Sequence, residues 1–206
     1  MARYVGPKCR LCRRIGERLM LKGERCATPK CPLEEGASPP GQRFTRRRKL
    51  SDYSLRLQEK QKAKHIYGIL EQQFHRFFTQ AKKAPGKTGE TLLQLLERRL
   101  DNVVYRLGFA KTLSQARQLV NHGHVIVDDK KVDIPSYNIK VGQFITLNAK
   151  ALDIPFVQES LKETKPANIP AWLERKGPVG KVKRLPEKED LRTDIDISLI
   201  VEYYSR

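Results

Sequence analysis

Hydrophobic residues recur with a helical period along two stretches between residues 69 and 109. Residues 88–109, "TGETLLQLLERRLDNVVYRLGF", carry aliphatic side chains at three- and four-residue spacing and predict one long amphipathic helix. Residues 69–82 repeat this spacing with phenylalanines, which predicts a second helix whose aromatic rings pack in a core. Ser51 stands where the N-cap of a further helix is expected, and that helix should run to about residue 65.

A fourth helix precedes a change of period. Thr112, with Gln115 three residues later, predicts a capping box, and Gly123 predicts the left-handed residue that ends the helix. The apolar residues of this helix face inward, so its polar residues are expected to face outward: Ser114, Arg117, Gln118 and Asn121. The next stretches, "HVIVDDKKVDIP" and "YNIKVGQFITLN", alternate with period two and predict two antiparallel hairpins.

The last quarter of the chain is less regular. The stretch "PFVQESL" predicts a short helix, and "IPAWLERKGPVGKVKRLP" predicts a loop that leads to a strand, with Trp172 as a packing residue. The tail, "DISLIVEYYSR", alternates like a last strand or an extended return across the body. Helices combined with antiparallel strands predict an α+β fold, in one or two modest domains.

The charge of the chain indicates that its partner is a nucleic acid. The 41 Lys and Arg residues outnumber the 23 Asp and Glu residues and give a net charge of +18. Residues 1–64 hold 18 Lys or Arg against 6 Asp or Glu, whereas residues 181–206 hold 6 of each. Such an excess calls for a polyanion, and the abundance of arginine favours phosphate.

No feature of the sequence points to a membrane. No apolar run approaches the roughly 20 residues that a spanning helix needs. The start, "MARYVGPK", has no apolar signal core, so we expect a cytosolic chain, or an organellar one whose transit peptide is absent from this sequence.

All four cysteines lie in one basic segment, with the spacing Cys9-x2-Cys12-x13-Cys26-x4-Cys31. Two close pairs separated by a loop are typical of a tetrahedral structural zinc site; a labile iron–sulfur cluster and free thiols are the alternatives. Residues 1–42 contain few large apolar side chains, so metal binding would supply folding free energy that burial cannot. Four protein ligands would leave the ion no catalytic position, and its role would be to present the surrounding basic residues.

Further basic residues follow this segment. The densest basic run comprises Arg43 and Arg46 to Lys49, after a break rich in proline and glycine at residues 36–42. The helix after Ser51 has few apolar residues, so we expect it to lie on RNA rather than on a core, with an ordinary solvated face as the alternative. Helical RNA offers phosphates and 2′-hydroxyl groups across a shallow minor groove, which suits short polar side chains and arginines.

Several stretches resemble a known family. Residues 97–137, "ERRLDNVVYRLGFAKTLSQARQLVNHGHVIVDDKKVDIPSY", resemble the alpha-L RNA-binding module. The stretches "SDYSLRLQEKQKAKHIYGI" and "LIVEYYSR" resemble the bacterial-type small-subunit (30S) ribosomal protein S-four family. The resemblance runs from "ARYVGPKCRLCRR" to the last residue, and only residues 150–190 are weakly marked.

The resemblance implies a structural, non-enzymatic constituent of the small ribosomal subunit in the cytoplasm or an organelle. Its members are primary binders of 16S rRNA that nucleate assembly at a multi-helix junction and contribute to translational fidelity. It implies contact with neighbouring small-subunit proteins, and it places Arg43 and Arg46 to Lys49 near the path by which mRNA enters.

The resemblance also implies a domain organisation. Residues 1–42 form a zinc-binding segment, in which Cys9, Cys12, Cys26 and Cys31 hold one structural Zn²⁺. Residues 43–95, completed by residues 191–206, form a helical rRNA-binding domain, into which an alpha-L domain of two helices and a small antiparallel sheet is inserted over residues 96–190.

Residue types, patterns and the resemblance together nominate one set of RNA-binding residues: Arg3, Lys8, Arg10, Arg13, Arg14, Arg43, Arg46, Arg47, Arg48, Lys49, Arg56, Lys60, Lys62, Lys64, Arg98, Arg99, Asn102, Arg106, Thr112, Ser114, Gln115, Arg117, Gln118, Asn121, His122, Lys130 and Lys131. The chain departs from the family at two places. It has "GQRFTRRR" where members commonly have Gly-Gln-His-Gly, and Asp128-Asp129 where the hairpin turn usually contains glycine.

Two other functions fit the sequence less well. An RNA-modifying or tRNA-charging enzyme would need a catalytic domain, yet the four histidines show no grouping of base and nucleophile, and no nucleotide-binding glycine loop is present. His122 and His124, on either side of Gly123, are predicted to cap the helix or contact RNA. A zinc-dependent DNA-binding regulator would need a recognition helix after Cys31, where the chain has "PLEEGASPPGQ". No small-molecule substrate is expected.

Overall fold

The computed structural model describes residues 3–41, 49–163, 169–191 and 194–205. Arg43, Arg46, Arg47 and Arg48 lie outside the described residues. Those described divide into two compact units. The helical unit contains residues 3–41, 49–89 and 194–205, and the mixed unit contains residues 90–163 and 169–191.

The helices and strands are numbered in chain order. The helices are α1 (Lys8–Ile15), α2 (Asp52–Ile66), α3 (Glu71–Lys83), α4 (Thr88–Glu97), α5 (Leu100–Arg106), α6 (Leu113–Asn121), α7 (Ala149–Leu152), α8 (Pro155–Glu163) and α9 (Ile197–Tyr204). The strands are β1 (Val125–Val127), β2 (Lys130–Lys131), β3 (Phe144–Leu147), β4 (Leu173–Lys176) and β5 (Val179–Val182). Among the described residues, no helix is both long and apolar enough to cross a membrane.

Helix α2 begins where the sequence predicts, and it packs against α9. The hydroxyl of Ser51 accepts a hydrogen bond from the backbone N–H of Ser54 at 3.3 Å, which confirms the N-cap. The expectation that α2 does not lie on a core is wrong, because α2 packs against α9 and buries Ala63 and Ile66. Contact of α2 with RNA stays a prediction. Lys60 and Lys62, which the sequence pattern predicts to be exposed, are buried and paired with carboxylates.

The C-terminal tail is a helix, not the predicted strand or extended return. The carboxylate of Asp196 caps α9 by accepting a hydrogen bond from the N–H of Ser198 at 2.9 Å. Ile200 is buried, and Tyr204, four residues later on the same face, stacks on Phe78 with ring centroids 4.5 Å apart. The α3 phenylalanines are buried, as predicted. Helical spacing of Ile200 and Tyr204 therefore outweighs the period-two pattern.

The predicted long helix is broken into α4 and α5. Between them Arg99 has an extended backbone (φ −64°, ψ 138°) and forms an isolated bridge with Asn138. The N–H of Leu100 donates to the carbonyl of Tyr137 at 2.8 Å, and the N–H of Ile139 donates to the carbonyl of Arg98 at 2.9 Å. Residues 98–100 thus exchange helical hydrogen bonds for bonds to a distant segment, which the apolar spacing cannot reveal.

The mixed unit contains a five-stranded antiparallel sheet with the order β2-β1-β3-β5-β4. The predicted β1–β2 hairpin is present, and Asp128 (φ 45°) and Asp129 (φ 64°) supply the two left-handed residues of its turn. The second predicted hairpin is wrong, because β3 pairs with β1 and β5 and the residues before it bridge to Arg99. The predicted loop and strand near residue 175 are the β4–β5 hairpin.

One face of the sheet covers the core of the mixed unit. Aliphatic residues of α5 and α6 pack with β1, β3 and β5 around the buried Trp172, which is a packing residue as predicted. Gly180 lies so close to the side chain of Leu107 that any larger residue would collide with it. The carbonyl groups at the end of α5 are held by Arg175, whose guanidinium donates to Leu107 at 3.0 Å. The C-terminal end of α5 is therefore packed against β4 and β5.

Candidate nucleic-acid interface

The nominated residues differ widely in exposure. The exposed ones are Arg3, Arg10, Arg14, Lys49, Gln118, Asn121, His122, Lys130 and Lys131. The partly buried ones are Lys8, Arg13, Arg56, Lys64, Arg98, Arg106, Thr112, Ser114 and Gln115. The buried ones are Lys60, Lys62, Arg99, Asn102 and Arg117. Only the first two groups offer side chains that a large polyanion can reach.

The lysines of α2 are directed at carboxylates of the chain itself. Lys60 is 4% exposed and its ammonium lies 2.8 Å from Glu71, while Lys62 is 6% exposed and lies 2.6 Å from Glu17. Arg56 donates to Glu202 of α9 at 2.7 Å. These ion pairs hold α2 within the helical unit and neutralise several of its basic side chains.

Glu71 is the centre of this arrangement. Its carboxylate accepts hydrogen bonds from Lys60 at 2.8 Å, from the hydroxyl of Tyr204 at 2.7 Å and from Lys64 at 3.2 Å. Burial by itself would raise the pKa of Glu71, but these donors favour the ionised form and lower the pKa to about 2. Glu71 therefore stays charged at physiological pH and neutralises the lysines around it.

Two carboxylates play the same part in the mixed unit. Arg99 and Asp101 are both 0% exposed, and the guanidinium donates to the carboxylate at 3.0 and 2.8 Å. Arg117 is 3% exposed and lies 3.8 Å from Asp101. Since Arg117 was expected to face outward from its helix, that placement is wrong.

Glu97 engages the remaining polar residues of α5. It accepts hydrogen bonds from the amide of Asn102 at 2.6 Å and from Arg106 at 3.0 and 2.8 Å. The four-residue spacing of Arg98, Asn102 and Arg106 would place them on one face of a continuous helix, but the structure does not bring them together in this way. The break at residues 98–99 turns α5 relative to α4, so Asn102 becomes buried and Arg106 points at Glu97.

The C-terminal end of α6 and the β1–β2 hairpin form one exposed polar surface, here called the α6–hairpin surface: Gln118, Asn121, His122, Lys130 and Lys131. Thr112 caps α6 by accepting from the N–H of Gln115 at 3.3 Å, which is the N-cap half of the predicted capping box. The side-chain oxygen of Gln115 accepts from the hydroxyl of Thr112 at 3.2 Å instead of from its backbone N–H. Gly123 has the predicted left-handed backbone (φ 68°), and the side chain of Lys131 lies directly over it. A larger residue at Gly123 would displace Lys131, so the glycine joins helix and hairpin.

The cysteine segment is compact. Cys12, Cys26 and Cys31 are buried, Cys9 is partly buried, and all four are free thiols. Burial raises the pKa of the Cys12 thiol, and the thiols of Cys26, Cys9 and Cys31 raise it further. Among the described residues, no group of three or more His, Cys, Asp or Glu side chains has the arrangement of a metal site.

Basic residues surround this segment without all being available. Arg3, Arg10 and Arg14 are exposed. Arg13 donates instead to the carbonyl of Ser38 at 2.7 Å, and Lys8 donates to the carbonyl of Leu21 at 3.3 Å. Burial lowers the pKa of Lys8, and the neighbouring charges of Arg3 and Lys22 lower it further.

Helix α3 presents a further basic surface, which the sequence pattern did not reveal. Arg76, Lys82 and Lys83 are exposed there and were not among the nominated residues. The signal that could have found them is an absence: residues 72–89 contain no Asp or Glu.

Two known families match successive parts of the chain. Residues 3–97 match the family described as Ribosomal protein S4/S9 N-terminal domain, and residues 98–145 match the family described as S4 domain. A mixed helix-and-sheet unit of this kind, with an exposed polar and basic surface, defines an RNA-binding protein of the S4-domain class.

Full-length relatives narrow the class to one family. A small ribosomal subunit protein uS4 from Dictyoglomus turgidum is 56% identical over 208 residues, which cover 100% of both chains. Proteins of the same name from Thermus thermophilus and from Gloeobacter violaceus are 49% and 51% identical, again over the full length of both chains. The chain therefore belongs to the uS4 family of structural proteins of the small ribosomal subunit, and it is not an enzyme.

Proposed function

We propose that the chain is a primary binder of 16S rRNA in cytoplasmic ribosomes and nucleates assembly of the small subunit at a multi-helix RNA junction. The observation that carries this proposal is the α6–hairpin surface. Its amide, imidazole and ammonium groups project from a rigid core and suit phosphates and 2′-hydroxyl groups. The net charge of +18 supplies the long-range attraction that brings such a surface to RNA.

Nucleotide-resolution footprinting on full-length 16S rRNA tests this proposal. The purified chain is added at physiological salt with an excess of tRNA as competitor. We expect protection that clusters at one multi-helix junction and resists the competitor. Replacing Lys130 and Lys131 together with Gln should weaken that protection, whereas Lys162→Gln, at an exposed lysine of α8, should not. Diffuse protection that tRNA removes would contradict the proposal.

We also propose that Cys9, Cys12, Cys26 and Cys31 hold one structural Zn²⁺. The support is the spacing of the two cysteine pairs and the chemistry of the donors: all four cysteines are free thiols, three of them are buried, and the N–H of Lys22 already donates to the sulfur of Cys26 at 3.4 Å. A bound zinc ion would supply folding free energy to a segment that has a small apolar core.

Metal analysis of the purified chain distinguishes the alternatives for this segment. We expect one zinc ion per chain, lost in Cys26→Ser, together with increased proteolysis confined to residues 1–41. Visible absorption near 400 nm would indicate an iron–sulfur cluster instead. Four thiols that react rapidly with a thiol reagent in metal-free protein of unchanged protease resistance would leave the free-thiol alternative.

A third part of the proposal concerns translation itself. We propose that Lys49, with Arg43 and Arg46 to Arg48, which lie outside the described residues, contacts mRNA near the channel through which it enters. Contacts with neighbouring small-subunit proteins would link the chain to decoding fidelity. The support is the charge of this run and the exposure of Lys49. Ribosomes reconstituted with Gln at Arg46, Arg47 and Arg48 should cross structured mRNA more slowly, and an unchanged rate would contradict this contact.

A further inference from the structure

Helix α3 presents a face without any acid. Its only carboxylate is Glu71 at its first residue, and the next acid along the chain is Glu90. The exposed side chains of α3 are amides, a hydroxyl, an imidazole and three cations: Gln72, His75, Arg76, Thr79, Gln80, Lys82 and Lys83. An exposed face of this composition carries a positive potential with no local carboxylate to reduce it.

The cations of α3 differ from those of α2 in their partners. In the described part of the chain, no carboxylate lies within ion-pair distance of Arg76, Lys82 or Lys83. Glu71 does not serve them, because Lys60, Lys64 and Tyr204 occupy its carboxylate. The guanidinium and the two ammonium groups are therefore available to an external anion at little cost in stability.

The face is held rigidly. Phe74, Phe77, Phe78 and Ala81 are buried on the opposite side of α3, and Tyr204 stacks on Phe78. Arg76 and Lys83 are seven residues apart, or about two helical turns and roughly 10 Å along the axis. Gln80 lies between them on the same face. Two cations at a fixed spacing with an amide between them suit successive phosphates better than a single small anion.

The composition of the face also indicates which kind of polyanion fits. Between Gln72 and Lys83 the structure exposes no large apolar side chain, so the face lacks the apolar anchors on which protein partners usually depend. It also lacks an aromatic platform for unpaired bases, because the phenylalanines are buried and the ring of His75 is turned edge-on to Tyr204. What remains is contact with the backbone of a duplex.

We propose that the exposed face of α3 binds the phosphate backbone of a double-helical segment of rRNA, through Arg76, Lys82 and Lys83. This inference rests on the proposed rRNA-binding function and names a surface separate from the α6–hairpin surface.

The test compares the salt dependence of binding between variants of the full chain on 16S rRNA. In Arg76→Gln/Lys83→Gln, the slope of log K against log salt should become shallower by about two, one for each lost phosphate contact. Footprinting should show loss of protection on one duplex only. The charge-retaining variant Arg76→Lys/Lys83→Arg should keep the wild-type slope.

Lys162→Gln is the matched control. Lys162 is exposed on α8, and the same helix carries the acidic residues Glu159 and Glu163, so its neutralisation should leave the slope unchanged. Since Arg76 and Lys83 make no ion pair within the described chain, the double variant should melt like the wild type. If it does not, Lys83→Gln alone provides the test, with an expected change of about one in slope.

The outcomes separate this inference from the proposed function. Specific wild-type binding with an unchanged slope in the α3 variants would overturn the α3 surface and leave the rRNA-binding function in place. Loss of slope in Lys162→Gln as well would also overturn it, because general charge would then explain the effect. Wild-type binding that tRNA competes away would remove the proposed function and this inference together.

Discussion

Helices α2 and α3 are consecutive in the chain and similarly basic, yet they use their charge in opposite ways. Lys60 and Lys62 of α2 are buried against Glu71 and Glu17, and Arg56 is held by Glu202. The cations of α3 are exposed and have no carboxylate partner among the described residues. The placement of carboxylates, rather than the number of lysines and arginines, therefore determines which basic side chains of this protein stay exposed.

The mixed unit repeats the contrast, and its buried side should give the largest effect. Asp101→Ala leaves Arg99 buried without its carboxylate, and loss of one partner of a buried ion pair costs about 3–5 kcal/mol. We expect urea denaturation to show this loss. Glu159→Ala removes an exposed partner of Lys111 and should cost at most about 1 kcal/mol. Equal losses in both variants would mean that burial does not distinguish the two kinds of pair.

The same contrast can be measured between α2 and α3. Lys60→Ala removes a buried ammonium, but Glu71 is 44% exposed and water compensates in part, so we expect a loss of about 1–3 kcal/mol. Lys82→Ala should change stability by no more than about 0.5 kcal/mol. Under conditions in which both variants are folded, Lys82→Ala should weaken RNA binding more than Lys60→Ala does. Were Lys60→Ala to weaken RNA binding without destabilising the chain, the comparison would fail.

His65 gives the helical unit a dependence on pH. Burial, with a smaller contribution from Lys64, lowers the pKa of His65 from 6.5 to about 4. The unfolded chain therefore binds a proton that the folded chain does not between these values, and stability rises with pH across this window. We expect a gain of about 1 kcal/mol from pH 5 to pH 6. In His65→Gln this increment should be absent, whereas His75→Gln, at an exposed histidine, should retain it.

The smallest expected effect concerns how the two helices begin. Ser51 caps α2, whereas α3 follows Leu70 and has no side-chain cap. Ser51→Ala should therefore lower the free energy of unfolding by about 0.5–1 kcal/mol. Leu70→Ser should raise it by a few tenths of a kcal/mol, because the serine supplies the missing acceptor. Thermal melts of the two variants measure both. A gain from Ser51→Ala would show that the hydroxyl does not act as the cap.

Local patterns were sufficient where neighbouring residues decide the structure. The caps at Ser51 and Thr112, the left-handed Gly123 and the β1–β2 hairpin depend on contacts within a few residues, and all are present. The buried phenylalanines of α3 follow from spacing along a single helix. The family was also visible in the sequence, because its motifs run along nearly the whole chain.

The same patterns were misleading where distant segments compete. Leu100 donates to Tyr137 rather than to the helix before it, and this exchange breaks a helix that periodicity predicts as continuous. The tail alternates like a strand, but it forms a helix that packs against α2. Ile200 is buried, and Tyr204, on the same face of this helix, stacks on Phe78 of α3.

The class of the protein follows from its sequence: a strongly basic chain, helices with local caps, and an RNA-binding module recognisable from its motifs. Which cations stay exposed depends on the tertiary structure. Glu71, Glu97 and Asp101 are few, but folding places basic residues of a neighbouring helix against each of them: Lys60 of α2, Arg106 of α5 and Arg117 of α6. A buried charge must meet its counter-charge or destabilise the fold, so these acids select the lysines and arginines that stay inside and leave those of α3 and the β1–β2 hairpin exposed.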